Sequence, residues 1–375
     1  MSAVSISYAD IVNCDLPRLV LCNLPIAGYT EVKIRGNAMR ILFDPEPRAA
    51  EDIFSKADHQ KFLSTYDVSA WNGEDREEFY RKHLPDTEVL ISQQRMERDR
   101  LDIAPKLRAI VNVETNFYPN VDYEACFQRG IHVIAPSSVF AAPVAEIGLG
   151  MALSLARGIH TAHGDFVAGQ ELYGLDGNHE AELLAGADVG FVGFGDLGRA
   201  VHKLLAGFQP KVRAFDPWLP DGVLTRFGVE PASLDEVLSK SRFVFVVATI
   251  TVDNAHLLNA EKLGLMQRGA KLLLLSRAAV ADFAALKEFA GSGRIHVATD
   301  VFPEEPVAAD DPIRKVPNIL FSAHRAGALT SALQNIGKLV LEDLGQIARH
   351  LPPVACKRAE RETVARLRSK PVDKS

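Results

Sequence analysis

From Met39 onward the chain alternates short apolar runs with stretches whose apolar residues recur at helical spacing. Residues 40–43, 68–71, 88–92, 108–113 and 131–134 read as strands, with polar helical stretches such as 74–83 and 121–129 between them. Five strands alternating with helices predict a parallel, flavodoxin-like sheet. The character changes near Ala142. Pro143 suits a first helical position, and residues 144–157 form a strongly apolar helix closed by Gly158. A polar, glycine-containing stretch, 160–186, leads into a second series of strands at 189–194, 211–215, 243–249, 271–276, 296–301 and 318–321. Helices at 234–240, 260–266 and 283–290 fill the gaps. Residues 331–351 make a long amphipathic helix, striped by Leu333, Ile336, Val340, Leu344, Ile347 and Leu351, that is expected to cross back to the first series.

This rhythm predicts an α/β protein of two domains, with a hinge at 136–142. A discontinuous domain, 1–141 plus 328–375, encloses an inserted one, 142–327. Residues 1–37, broken by Pro17, Pro25 and Gly28, read as an amino-terminal extension, and the Lys- and Arg-rich last twenty-odd residues as a solvated tail. A length of 375 residues accommodates two cores, and 47% hydrophobic with 24% charged residues is an ordinary globular balance. A net charge of −6 excludes a protein that coats nucleic acid. Cys14, Cys22, Cys126 and Cys356 are scattered without metal-ligand spacing, so free thiols in a reducing cytoplasm and no metal site are expected. The start MSAVSISYAD lacks the features of a signal peptide, and the longest helical apolar stretch, 147–156, is too short to span a bilayer. A soluble cytoplasmic protein without a membrane partner is expected.

The densest signal lies at 189–216. A run of Val189, Phe191, Val192 and Phe194 reads as a strand buried on both faces, and Gly193, Gly195 and Gly198 then spell G-x-G-x-x-G at the start of a helix. The first glycine permits the tight turn, the second lets a pyrophosphate approach the backbone, and the third lets helix and strand pack closely. Asp216 stands at the end of the next strand, close to the separation of roughly 20 residues expected of a ribose-binding acid. Strand, glycine turn, helix and acid together predict dinucleotide binding.

In open α/β sheets, ligands sit outside the carboxyl ends of the strands. That rule selects Arg277, Asp300, Glu305 and His324, each at or just past a predicted strand end. Taken singly, each has an ordinary explanation as a surface charge or an incidental histidine. Together, Arg277, Glu305 and His324 supply what carbonyl reduction needs. A guanidinium holds a carboxylate, an imidazole supplies the proton, and a carboxylate orients the imidazole.

The stretches GFVGFGDLGRA, LLLSRAAVADFAAL, ATDVFPEEP and PNILFSAHRAG resemble the D-isomer-specific 2-hydroxyacid dehydrogenase family, which includes D-3-phosphoglycerate, D-glycerate, formate and glyoxylate/hydroxypyruvate enzymes. The similarity runs from about residue 107 to 345. It implies a Rossmann NAD-binding domain inserted into the flavodoxin-like substrate domain, and a homodimer formed mainly through cofactor domains. It also implies Arg277 as the substrate-carboxylate arginine, Glu305 as the partner of the histidine and His324 as the acid/base. Beside the three glycines, cofactor contacts are implied for Asp196, Leu197, Asp216, Ala248, Leu275, Ser276, Asp300 and Gly327.

Three departures bear on specificity. Arg277 is followed by Ala278 where the family usually has glycine, and the turn at 248–251 lacks its common proline. The substrate loop, Asn112-Val113-Glu114-Thr115-Asn116-Phe117, has no glycine. Substrate contacts are expected from Asn112, Val113, Glu114, Thr115 and Asn116, with the two asparagines supplying side-chain donors. Glu114, if it points inward, opposes a second negative group on the substrate; if it points away, it caps a helix or pairs with a surface cation.

The resulting reading is an NAD-dependent oxidoreductase that interconverts a D-2-hydroxy acid and its 2-oxo acid. Two alternatives stay open: an NADPH-preferring glyoxylate or hydroxypyruvate reductase, and a non-catalytic NAD(H)-sensing protein like the corepressors called C-terminal binding proteins.

Overall fold

A computed structural model of the chain describes residues 38–114 and 116–367. The expected amino-terminal extension, with Cys14 and Cys22, lies outside the described residues, as do Thr115 of the substrate loop and residues 368–375.

Strands β1 (Arg40–Asp44), β2 (Asp67–Ala70), β3 (Val89–Ser92), β4 (Ala109–Val111) and β5 (His132–Ala135) form a parallel sheet in the order β5-β4-β3-β1-β2. This is the flavodoxin-like order. Strands β6 (Asp188–Val192), β7 (Lys211–Phe215), β8 (Glu230–Pro231), β9 (Phe243–Val246), β10 (Ala270–Leu274), β11 (Ile295–Thr299) and β12 (Ile319–Phe321) form a second sheet, ordered β12-β11-β10-β9-β6-β7-β8. The order reverses between β6 and β9, the switch point at which Rossmann sheets hold their ligands. Two short strands escaped the sequence reading: β8, and β13 (Lys357–Arg358), which pairs antiparallel with β5.

Near-continuous apolar runs form the central strands because both faces of each sheet are covered there, whereas the edge strands β2 and β8 are more polar and partly exposed. Leu272 and Leu274 of β10 enter one core, while Leu273 and, just past the strand, Leu275 enter the other with Phe191 and Phe245. The period of two thus serves two cores at once.

The apolar helix spans Ala141–Arg157, longer than expected, and ends at Gly158 with φ +61°. With the turn before it, the helical run Ser137–Arg157 has 21 residues at a mean hydropathy of 1.7, enough by length and composition to cross a membrane. Half of that window is buried inside the protein, and the helix packs on β10, β11 and the helix Asp196–Leu205, so it is a core helix. The stretch after it is not simply polar. It opens with the helix Ile159–Ala168 and exposes large apolar side chains, among them Phe166 at 62% and Leu175 at 81%.

The long carboxy-terminal helix, Thr330–Ala348, buries Ile336, Val340, Leu344 and Ile347 in one cluster with Ile41, Phe43, Val89 and Val111 of the first sheet. It ends before Leu351, which is exposed. Gly337 allows the approach, since a β-carbon there would lie 2.7 Å from the carbonyl oxygen of Ile53.

The expected solvated tail is an ordered strap as far as residue 367. Buried Asp343 accepts hydrogen bonds from the N–H groups of Val354, Ala355 and Cys356 at 2.6, 2.8 and 2.8 Å. Strand β13 follows, then the short helix Arg361–Val364. Val252 N–H then donates to Arg366 O at 2.9 Å, and Thr251 bridges antiparallel to Leu367. Lys357 and Arg358 face solvent while Cys356 and Ala359 are buried, so the basic residues conceal a packed segment. Cys126 and Cys356 are both buried free thiols. Burial raises both, Cys126 to about 12, which keeps them protonated and unreactive.

Candidate active site

The glycine turn follows β6. Gly193 has φ +89°, and a β-carbon there would lie 2.7 Å from the Cα of Ala248, two residues past β9 on the other side of the switch point. Gly195 faces open space, and a β-carbon on Gly198 would meet the Gly193 carbonyl at 2.9 Å. The helix Asp196–Leu205 has Gly195 as its N-cap and no side chain capping its first turn. Backbone N–H groups and open space therefore coincide where a pyrophosphate would sit. Asp216 is held at the end of β7 by two hydrogen bonds, Phe194 N–H to Oδ2 at 2.8 Å and Trp218 N–H to Oδ1 at 2.9 Å. These features fit a dinucleotide.

Other expected cofactor contacts are placed differently. Leu197 is half-buried against the core, and Leu275 is buried against Gly148, so the Leu275 side chain does not face the cleft. Ser276 is buried with its Oγ 3.4 Å from Val246 O, and Asp196 is exposed on the first helical turn. Leu197, Leu275 and Ser276 offer backbone at this edge. Gly327 packs on Phe140, 2.8 Å from where its β-carbon would be. Asp300, fully buried, braces the histidine loop: its carboxylate accepts from Arg325 N–H at 2.9 Å and Ala326 N–H at 3.0 Å, and its carbonyl accepts from His324 N–H at 2.8 Å.

That brace holds His324 at φ +50°, an unusual conformation for a residue with a β-carbon. Its Nδ1 lies 2.6 Å from Oε2 of Glu305, whose Oε1 accepts from Phe302 N–H at 2.8 Å. The contact assigns the Nδ1 proton to the Glu305 side and leaves Nε2 for proton exchange. Arg277, just past β10, is half-buried and donates through Nη1 to Ser276 O at 2.9 Å. The structure thus brings His324 and Glu305 into contact and sets Arg277 on the same sheet edge.

The facing edge belongs to β1, β3 and β4. In the substrate loop, Asn112 is fully buried and its amide donates to Asn116 O at 3.1 Å, while Asn116 Oδ1 accepts from Phe117 N–H at 2.9 Å. Asn112 is therefore a loop brace and cannot serve as the expected substrate donor. Val113 is buried in the core cluster and presents no side chain either. Glu114 is buried and pairs with Arg48, Nε to Oε1 at 2.7 Å, and its N–H donates to Gln93 Oε1 at 3.0 Å. It does meet a cation, but not a surface one: the Arg48 side chain is only 17% exposed. Tyr118, buried beside this pair, has its hydroxyl pushed up to about 12, by burial first and then by the charge of Glu114, with Arg277 and Arg48 opposing. Arg48, Gln93 and Tyr118 carry no local sequence signal of their own. The carboxyl-edge rule, applied to the first sheet as well as the second, selects Arg48 and Gln93.

Comparison with known proteins places the chain in a family. Residues 149–326 match the family described as D-isomer specific 2-hydroxyacid dehydrogenase, NAD binding domain. A phosphoglycerate oxidoreductase from Rhizobium etli, known as a crystal structure, is 48% identical with a TM-score of 0.81, covering 87% of this chain and 99% of that one. Glyoxylate reductase from Thermofilum pendens is 30% identical over 290 residues, 74% of this chain and 83% of that protein. D-3-phosphoglycerate dehydrogenase from Methanocaldococcus jannaschii is 28% identical over 291 residues, 76% of this chain, which spans only 54% of that longer protein. The chain belongs to the D-isomer-specific 2-hydroxyacid dehydrogenase family.

Proposed function

We propose that His324, Glu305 and Arg277 carry this family's reaction in this chain, the NAD-dependent interconversion of a D-2-hydroxy acid and its 2-oxo acid. Residues 142–327 hold the cofactor, and residues 1–141 with 328–375 hold the substrate. The observation that carries the reading is the 2.6 Å contact of His324 Nδ1 with Glu305, on the sheet edge that also bears the glycine turn. NADH, when bound at Gly193, Gly195, Gly198 and Asp216, supplies the hydride. Arg277 fixes the substrate carboxylate through charge-assisted hydrogen bonds. His324 Nε2 gives its proton to the carbonyl oxygen, and Glu305 steadies the imidazole in its charged form. In the oxidative direction the neutral ring takes the hydroxyl proton. Turnover on a panel of 2-oxo acids with NADH tests the reading. No turnover, with NADH still bound, would favour the sensing-protein alternative.

Asp216 sets the cofactor preference. Its fixed carboxylate accepts from ribose hydroxyls and repels a 2′-phosphate, so kcat/KM is expected to favour NADH over NADPH, and Asp216→Ser to narrow that preference. Equal or better wild-type rates with NADPH would remove Asp216 from this role and favour the NADPH-dependent alternative.

A homodimer through the cofactor-binding portion is supported by the exposed apolar side chains Ile159, Phe166, Val167, Leu172, Leu175 and Leu183, all on one segment. Light scattering is expected to give twice the chain mass for wild type, and Phe166→Asp with Leu175→Asp to shift it toward the monomer. A monomeric wild type would show that this segment serves something else. A cytoplasmic location fits the free thiols Cys126 and Cys356.

A further inference from the structure

Arg48 lies shortly past β1, Gln93 directly after β3 and Glu114 shortly past β4. These strands are neighbours in the order β4-β3-β1, so three side chains distant in sequence meet over one sheet edge. The Glu114 side chain is 2% exposed and its carboxylate is paired with Arg48. Little water is present to screen it, so its charge acts strongly on anything that enters beside it. Glu114 belongs to the loop after β4 that the family resemblance assigns to the substrate, so the ion pair stands at the end of the sheet where substrate is expected. The Arg48–Glu114 pair has no net charge, so it adds nothing to hold a second anionic group.

We propose that Arg48 reads the substituent on C3 of the 2-oxo acid and that Glu114 masks its charge, so that the enzyme takes a C3 hydroxyl and discriminates against a second anionic group. Arg48 Nε is committed to Glu114, while the Nη groups remain donors suited to a neutral oxygen. The inference rests on the function proposed above and adds the substrate class. An ion pair made to hold a phosphate or a second carboxylate would not be neutralised by a buried glutamate before the ligand arrives.

The test is kcat/KM with NADH for hydroxypyruvate, phosphohydroxypyruvate and oxaloacetate. Each value is divided by that for glyoxylate, which has no C3, so that general damage cancels. Wild type is expected to prefer hydroxypyruvate over both dianions. Glu114→Gln, which keeps an acceptor for Arg48 but removes the charge, is expected to raise the relative rates of the dianions by about tenfold or more. Adding Arg48→Met to Glu114→Gln is expected to abolish that gain. Wild-type preference for a dianion, or unchanged ratios in Glu114→Gln, would overturn the proposal while leaving the enzyme assignment intact. Failure of wild type to reduce any of the four acids would instead overturn the function on which it rests. If thermal melting shows Glu114→Gln unfolded, Arg48→Met alone decides. Its hydroxypyruvate rate relative to glyoxylate is expected to fall by about tenfold, and an unchanged ratio would overturn the proposal.

Discussion

His324→Asn is expected to lower kcat by about 10²- to 10⁴-fold, the usual worth of a positioned acid–base group, while NADH still binds. Asparagine is the informative replacement because of the backbone. His324 sits at φ +50°, and asparagine accepts the left-handed region better than most residues with a β-carbon. The three hydrogen bonds that the N–H groups of residues 324–326 donate to Asp300 therefore survive, and the loss reports on the imidazole rather than on a collapsed loop. Fluorescence titration with NADH and steady-state rates at saturating substrate separate the two. Near-normal turnover would remove His324 from the role of acid.

Gly193→Ala is expected to cost both stability and cofactor affinity. The backbone there is at φ +89°, and the new methyl would lie 2.7 Å from Ala248 Cα, 2.8 Å from Ala248 N and 3.2 Å from Ala248 Cβ. Two of those atoms are backbone and cannot swing aside. Left-handed strain of about 1–2 kcal/mol joins overpacking of about 1–3 kcal/mol. The sum is a large part of a marginal stability of about 5–15 kcal/mol. Gly195→Ala is the control, since nothing lies within 4 Å of its β-carbon position. It is expected to melt like wild type and lose only NADH affinity, because the methyl occupies space meant for phosphate. A Gly193→Ala protein with wild-type melting and NADH binding would show that the approach of β6 to β9 does not govern the turn.

The parts of this protein that were legible in its sequence are those encoded locally. Residues 211–215 and 234–240 were read with the ends that the structure gives, because a short apolar run and a capped amphipathic turn carry their own limits. The glycine turn was legible because its three glycines answer to contacts within one βα unit. Arg48 was not, since its partner is Glu114, on another strand, and only the order of the first sheet brings them together. Asn112 looked like a donor for substrate because its amide is polar; burial turned that amide to Asn116 instead. The strap was hidden by its charges. Lys357 and Arg358 dominate the composition, while the residues that fix it in place, Asp343 and Cys356, lie on either side of a chain reversal.

The strap has a mechanical consequence. The chain passes from one sheet's layers to the other's after β5 and again after β12. The contacts of Val252 with Arg366 and Thr251 with Leu367 are a third attachment. Because β13 pairs with β5 and the residues that follow pair with the turn after β9, the strap ties the layers of both sheets together through backbone hydrogen bonds, each worth about 0.5–1.5 kcal/mol.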